Sequence, residues 1–191
     1  SSTSNQEFFT RVARLVIKLI DNVTHEGRVF RVDTRLRPFG DSGALVASYP
    51  SLENYYQQHG RDWERYALLK SRCITGPSEQ TRAFQQLAGR FVYRRYTDFS
   101  VINGLRDMKA LIDNERVSKD LANDVKRGPG GIREAEFVVQ SHQLTHGGRI
   151  PAIQTINFQT SAAVLAKEQC APQSVVSTLT SAYRHLRQVE H

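Results

Sequence analysis

The sequence predicts a mixed α+β chain that is mostly helical, with a small piece of sheet near its start and a run of helices behind it. Three observations carry this. Residues 27–43, GRVFRVDTRLRPFGDSG, alternate in character as a strand does and then meet Pro38, Gly40 and Gly43. Apolar residues recur at helical spacing in six or so other segments. Glycine and proline pairs punctuate those segments at Gly76-Pro77, Lys126–Gly131 and Gly147-Gly148.

Ser4 and Glu7 fit a capping box, and Phe8, Val12, Leu15, Val16 and Leu19 form a stripe, so a helix is expected over about residues 4–21. Asn22 to Gly27 connects it to the alternating stretch. There Val29, Arg31 and Asp33 share one face of a strand and Phe30 and Val32 the other, where they anchor it in a core. Arg35 and Arg37 continue the alternation. Ala44 to Ser48 is expected as a short second strand. Ser51 then caps a helix carrying Leu52, Tyr55 and Tyr56, which Gly60 interrupts. Further helices are expected over Asp62–Ile74, residues 79–95, Val101–Leu121, Ile132 to about Thr145, residues 156–168 and residues 173–191. Their buried sides carry Phe84, Leu87, Phe91 and Val92; then Leu105, Met108 and Ile112; and, in the last, Val176, Leu179, Tyr183, Leu186 and Val189. The expected division is residues 1–50 and 51–191. A two-stranded sheet is marginal alone, so either the helices cover it or further strands lie upstream of Ser1.

The chain has 191 residues, 39% hydrophobic and 24% charged, with a net charge of +7. That balance favours an anionic partner such as nucleotide, phosphate, nucleic acid or an acidic protein surface, and selects none of them. No apolar run reaches the roughly 18 residues of a membrane span, and the start lacks the pattern of a signal peptide. It also lacks a methionine, so a fragment or processed chain is expected. Cys73 and Cys170 have no metal spacing and read as reduced thiols of a cytoplasmic protein.

Two stretches carry chemistry. Asp33 on a rigid strand suits a hard cation such as magnesium, and Arg35 and Arg37 suit phosphate oxygens. The same residues also fit an edge strand with a structural Asp–Arg pair, and the residues alone leave both readings open. Lys126 to Phe137, KRGPGGIREAEF, joins a basic glycine loop to a helix start, which is either a phosphate clamp or an interhelix loop with ordinary caps. It is neither a P-loop nor a dinucleotide fingerprint. Glu134 and Glu136 lie about 200° apart around a helix and so cannot face one ion. Asp62 and Glu64 read as a network with Arg61, Arg65 and Arg72. His142 and His146 are four apart, but Gln143 stands where a zinc protease has its glutamate, and no third ligand is evident. No Gly-x-Ser-x-Gly supports acyl transfer.

RVDTRLRPFGDSG, GRDWERYALLKSR, YRRYTDFSVINGLRDMK and KRGPGGIREAEFVVQSHQLTHGGRIPAIQT, in this order and with AYRHLRQVEH at the end, resemble the bacterial bifunctional glutamine synthetase adenylyltransferase/adenylyl-removing enzymes. The wording WERYA, RRYTDFS and GGIREAEF resembles their N-terminal, adenylyl-removing half rather than the adenylylating half. The resemblance implies a partial nucleotidyltransferase sheet of the DNA polymerase β type over residues 1–50, followed by a helical bundle over 51–191. It implies an enzyme that uses phosphate to strip AMP from a tyrosine of glutamine synthetase as ADP. Such sites use magnesium, with manganese as a substitute, held by three carboxylates. Asp33 matches the third; its Asp-x-Asp partners are expected upstream, so this chain alone is expected to be inactive. By the same matching Arg35 and Arg37 are phosphate ligands, and Lys126, Gly130, Gly131 and Arg133 serve the nucleotide or acceptor side. Glutamine synthetase, the PII signal protein, phosphate and adenine nucleotide are the implied partners, with no membrane and no nucleic acid. The rival readings are a non-catalytic helical module that binds glutamine synthetase or PII, a polynucleotide-directed nucleotidyltransferase, and the PII uridylyltransferase, whose helical region is similar.

Overall fold

The computed structural model describes residues 3–95, 99–118, 121 and 123–190, and divides into two compact units, Ser1–Gly60 and Arg61–His191. It is predominantly helical, with one two-stranded sheet among the described residues.

In the first unit, helix α1 (Asn5–Asp21) starts where the capping box places it. The Glu7 N–H donates to Ser4 Oγ (3.2 Å) and the Ser4 N–H to the Glu7 carboxylate (3.0 Å). The apolar stripe forms as the spacing predicts, yet no α1 residue is buried within the structure, and Leu19 is 68% exposed. Strands β1 (Val23–Thr24) and β2 (Gly27–Arg28) form a tight antiparallel hairpin, with Gly27 at φ 107. The positive φ is glycine's to take, which is why the turn falls there.

The expected strand over residues 27–37 is thus cut to two residues. The reason is where its backbone donors go. The Phe30 N–H bonds Ile20 O and the Val32 N–H bonds the Asp21 carboxylate, both at 3.1 Å, so the segment is laced to the end of α1 rather than to a neighbouring strand. Phe30 is no core anchor; it is 70% exposed. Ala44–Ser48 is not a strand either. Ser48, not Ser51, caps α2 (Tyr49–Gln58), because its hydroxyl accepts the Ser51 N–H (3.4 Å) and Pro50 is tolerated in the first turn. The nucleotidyltransferase-type sheet is therefore not present among the described residues.

In the second unit, α3 (Asp62–Leu68) ends well before the expected Ile74. It is followed by α4 (Ser78–Val92) and α5 (Phe99–Ser118); residues 119 and 120 of the expected helix lie outside the described ones. Then come α6 (Ile132–His146), α7 (Phe158–Lys167) and α8 (Gln173–Glu190). Leu87, Phe91, Val92 and Ile112 are buried as their spacing predicts, whereas Val189 is exposed. A core of Val139, Ile153, Ala162, Leu165 and Val176, with Phe158 and Leu179 against it, joins α6, α7 and α8. Beneath α3, the fully buried Arg65 donates twice to Val92 O (2.8 and 3.1 Å) and once to Asp62 (3.1 Å). Of the expected network the Asp62–Arg65 ion pair forms, Glu64 caps the helix by accepting the Arg61 backbone N–H (2.8 Å), and Arg72 makes no ion pair among the described residues. Cys73 and Cys170 are free thiols.

Candidate functional site

Asp33 sits in the loop after β2 and is held by Arg35. The Arg35 guanidinium meets it at 2.6 Å (Nη2 to Oδ2) and 3.0 Å (Nε to both oxygens), and the Arg35 N–H caps Oδ1 at 3.0 Å. These bonds, the guanidinium's first and the backbone N–H's second, pull the Asp33 pKa down to about 2. The group is ionised at any physiological pH, on an exposed surface. Arg37 is separate from this pair. Its guanidinium donates to Thr34 O (2.9 Å), Thr34 Oγ1 (2.8 Å), Gly43 O (3.1 Å) and Asp41 O (3.1 Å), stapling the loop closed. Gly43 is required there, since a Cβ would lie 1.8 Å from Pro38 O. Both Asp33 oxygens are occupied by Arg35, and among the described residues no group of three His, Cys, Asp or Glu side chains is placed to hold a metal ion. The residues present do not fit a magnesium site by themselves.

The second stretch lies in the helical unit. Asp124 accepts the N–H groups of Lys126 (3.0 Å) and Arg127 (2.7 Å). Gly128 N–H bonds Asp124 O (2.6 Å), Gly130 N–H bonds the Glu134 carboxylate (2.8 Å), and Gly131 N–H bonds Gly128 O (3.1 Å). Ile132 and Arg133 close onto Val125 O and Lys126 O. With Pro129 lacking an N–H, each backbone donor from Lys126 to Arg133 is used within the protein. Lys126 Nζ reaches Glu190 at 3.1 Å, joining the loop to the end of α8. Gly130 holds φ 69 and Gly131 packs against three carbonyls, so the glycines here shape the turn. Arg133 lies near the Tyr66 phenol, whose pKa burial drives up to about 12, with Arg133 opposing and Glu136 reinforcing that rise.

Helix geometry sends Glu134 and Glu136 to different partners, as the angle between them requires. Glu134 pairs with Lys109 (2.7 Å) and caps the glycine loop. Glu136 gathers Lys70 (2.5 Å), Arg187 (3.1 Å) and the Tyr183 hydroxyl (3.2 Å). Arg187 also bonds Tyr183 (3.0 Å) and Glu190 (2.6 Å). A cluster of charge thus ties α6 to α8 and to the residues after α3. It borders a cavity of about 280 Å³ walled also by Gln140, Gln143 and Phe158. Sequence reasoning passed over Lys70, Gln140 and Arg187, and placed Tyr183 only on the apolar side of the last helix. A signal was present: Glu136, Gln140 and Gln143 recur at i, i+4 and i+7, a polar line drawn beside the buried Ala135, Val139 and Leu144. His142 and His146 stack their rings at 5.5 Å, and burial lowers both pKa values, reinforced at His142 by His146 and at His146 by Arg149.

The Glutamate-ammonia ligase adenylyltransferase family profile matches residues 1–87, and the GlnD PII-uridylyltransferase profile matches residues 106–191. The bifunctional glutamine synthetase adenylyltransferase/adenylyl-removing enzyme of Pseudomonas putida is 49% identical over 190 residues, covering the whole chain. Proteins of the same name from Thioalkalivibrio sulfidiphilus (46% over 187 residues, 98% of the chain) and Mannheimia haemolytica (45% over 192 residues, the whole chain) are similar. The chain spans only about a fifth of these relatives: 19% of the first two and 20% of the third.

Proposed function

Because this chain belongs to the family of bifunctional glutamine synthetase adenylyltransferase/adenylyl-removing enzymes, we propose that it is part of a nucleotidyltransferase acting on glutamine synthetase, in its adenylyl-removing half. The observation that carries the family reading is 49% identity over 190 residues, the whole chain, to a protein so named; the choice of half rests on the wording WERYA, RRYTDFS and GGIREAEF. In the proposed reaction an oxygen of inorganic phosphate attacks the phosphorus of the AMP–tyrosine ester. The bond from phosphorus to the tyrosine oxygen breaks, the tyrosine regains its proton, and AMP joined to phosphate departs as ADP.

Asp33 supplies a permanently ionised carboxylate, and Arg35 keeps it so. Arg35 is the phosphate-facing cation, since its carboxylate partner is half exposed and the pair lies at the surface. Arg37 acts indirectly, by holding the loop that presents them. The Lys126–Arg133 turn orients α6 on the nucleotide or acceptor side. Magnesium enters no step here, because among the described residues Asp33 has no second and third carboxylate beside it; on this proposal the 191 residues alone are inactive. The reaction belongs to the cytoplasm, and no helix among the described residues is long and apolar enough to cross a membrane.

The test uses the full-length Pseudomonas putida relative. With this chain put in place of the matching segment of that relative, Asp33→Ala lowers phosphate-dependent ADP release from adenylylated glutamine synthetase by roughly a hundredfold or more. ATP-dependent adenylylation continues. Loss of adenylylation instead would move the chain to the other half. ADP release by the 191-residue chain, abolished by Asp33→Ala, would overturn the claim of inactivity.

A second reading rests on the match of residues 106–191 to the PII-uridylyltransferase profile. On it, the helical unit engages PII with no chemistry of its own. Binding of PII to the chain, unchanged by Asp33→Ala and by chelation of divalent ions, favours it.

A further inference from the structure

We propose that the cavity between α6, α7 and α8 is a binding site for a nucleoside monophosphate. Its wall carries three cations, Lys70, Arg72 and Arg187, against one carboxylate, Glu136. Glu136 is already drawn between Lys70 and Arg187, while Arg72 has no hydrogen bond or ion pair within the described protein. Arg187 is also paired with Glu190 at 2.6 Å, so Arg72 is the rim cation left to grip a phosphate monoester, with Lys70 on the same wall.

The opposite part of the wall asks for a polar, planar group. Gln140 is only 7% exposed, yet its side-chain amide has no hydrogen-bond partner among the described residues. Neither of its polar atoms is sealed from open space, and the residue lines the cavity. A buried amide without a partner is costly unless something meets it. Gln143, one helical turn along, spends its amide nitrogen on Ile153 O, Thr155 O and Ser161 Oγ, which leaves its carbonyl oxygen as an acceptor with no donor among the described residues. A glutamine amide offers one donor and one acceptor side by side, the pattern that pairs with the edge of an adenine ring. Phe158, stacked on Tyr183 at 3.8 Å, supplies an aromatic surface beside that edge. The volume, about 280 Å³, suits a ligand of nucleotide size or slightly smaller.

This site does not depend on the transfer reaction proposed above, and the experiment separates the two. Binding of AMP, adenosine and inorganic phosphate to the 191-residue chain is measured by calorimetry in EDTA, which silences any metal-dependent chemistry. AMP is expected to bind with sub-millimolar affinity and more tightly than either adenosine or phosphate. Arg72→Ala and Gln140→Leu are each expected to weaken AMP about tenfold. Arg72 is exposed and makes no ion pair among the described residues, so its variant keeps the wild-type unfolding midpoint and serves as the test if Gln140→Leu fails to fold. No AMP binding up to about 1 mM, or binding that both variants leave unchanged, overturns the proposal. Phosphate binding as tightly as AMP overturns the nucleoside part, and adenosine binding as tightly overturns the phosphate part.

Discussion

Gln143→Leu tests whether a single amide holds α6 to the segment that follows it. The Gln143 nitrogen donates to Ile153 O (2.9 Å), Thr155 O (2.6 Å) and Ser161 Oγ (2.9 Å), three acceptors sharing two protons. Leucine has nearly the same volume and no donor, so the change removes about two hydrogen bonds without opening a large void. The stranded groups are not wholly abandoned. Ile153 O keeps the Thr155 N–H at 2.8 Å, and Ser161 Oγ lies 3.3 Å from Thr155 O. At about 1 to 1.5 kcal/mol for each lost bond, less a small gain from burying leucine, the net cost is about 2 kcal/mol. Trp63 is the sole tryptophan and lies on α3, so its fluorescence follows urea unfolding of the helical unit. With a slope of about 2 kcal/mol per molar, the midpoint falls by about 1 M at unchanged slope. Gln143→Glu is expected to fall further at neutral pH, because a carboxylate then faces the same carbonyls. A midpoint within about 0.3 M of wild type for both variants would refute the reasoning.

Two further outcomes check the loops. In the glycine turn, Gly131→Ala places a methyl 2.6 Å from Val125 O and is expected to cost roughly 2 kcal/mol or more, whereas Gly130→Ala meets open space and pays only for its positive φ, about 1 kcal/mol. Thermal melts should rank Gly131→Ala below Gly130→Ala, and the reverse order would contradict the packing. At the first site, Arg35→Ala removes the bonds that stabilise ionised Asp33, so its pKa rises from about 2 toward the ordinary 3.8 and the carboxyl keeps its proton to higher pH. Carbon NMR titration of the Asp33 carboxyl reads this directly, and an unmoved midpoint would show that Arg35 is not the cause.

Local signals in the sequence were reliable where a short segment contains its own reasons. The Ser4–Glu7 capping box starts α1, and Gly27 turns the hairpin. The angular separation of Glu134 and Glu136 gives them different partners. The Asp33–Arg35 pair was also within reach, since two residues of separation suffice to make it. The strand over residues 27–37 failed for a reason no window contains. Alternation fixes which side chains share a face, but a strand exists only if another backbone accepts its hydrogen bonds, and here Ile20 O and Asp21 do so from a helix end. Ser48 displaced Ser51 as a cap because proline is tolerated in a first turn.

The sequence by itself determined the helical character of the chain, most of its helix starts and breaks, and, through its motifs, the family to which it belongs. Tertiary structure alone decided that Lys70 meets Glu136 across 66 positions, that Arg187 meets it across 51, and that Gln140, without a side-chain partner among the described residues, lines the cavity they border. Helix periodicity is a property of neighbours along the chain. The convergence of charges from three elements depends on how apolar faces pack, and no local spacing records that.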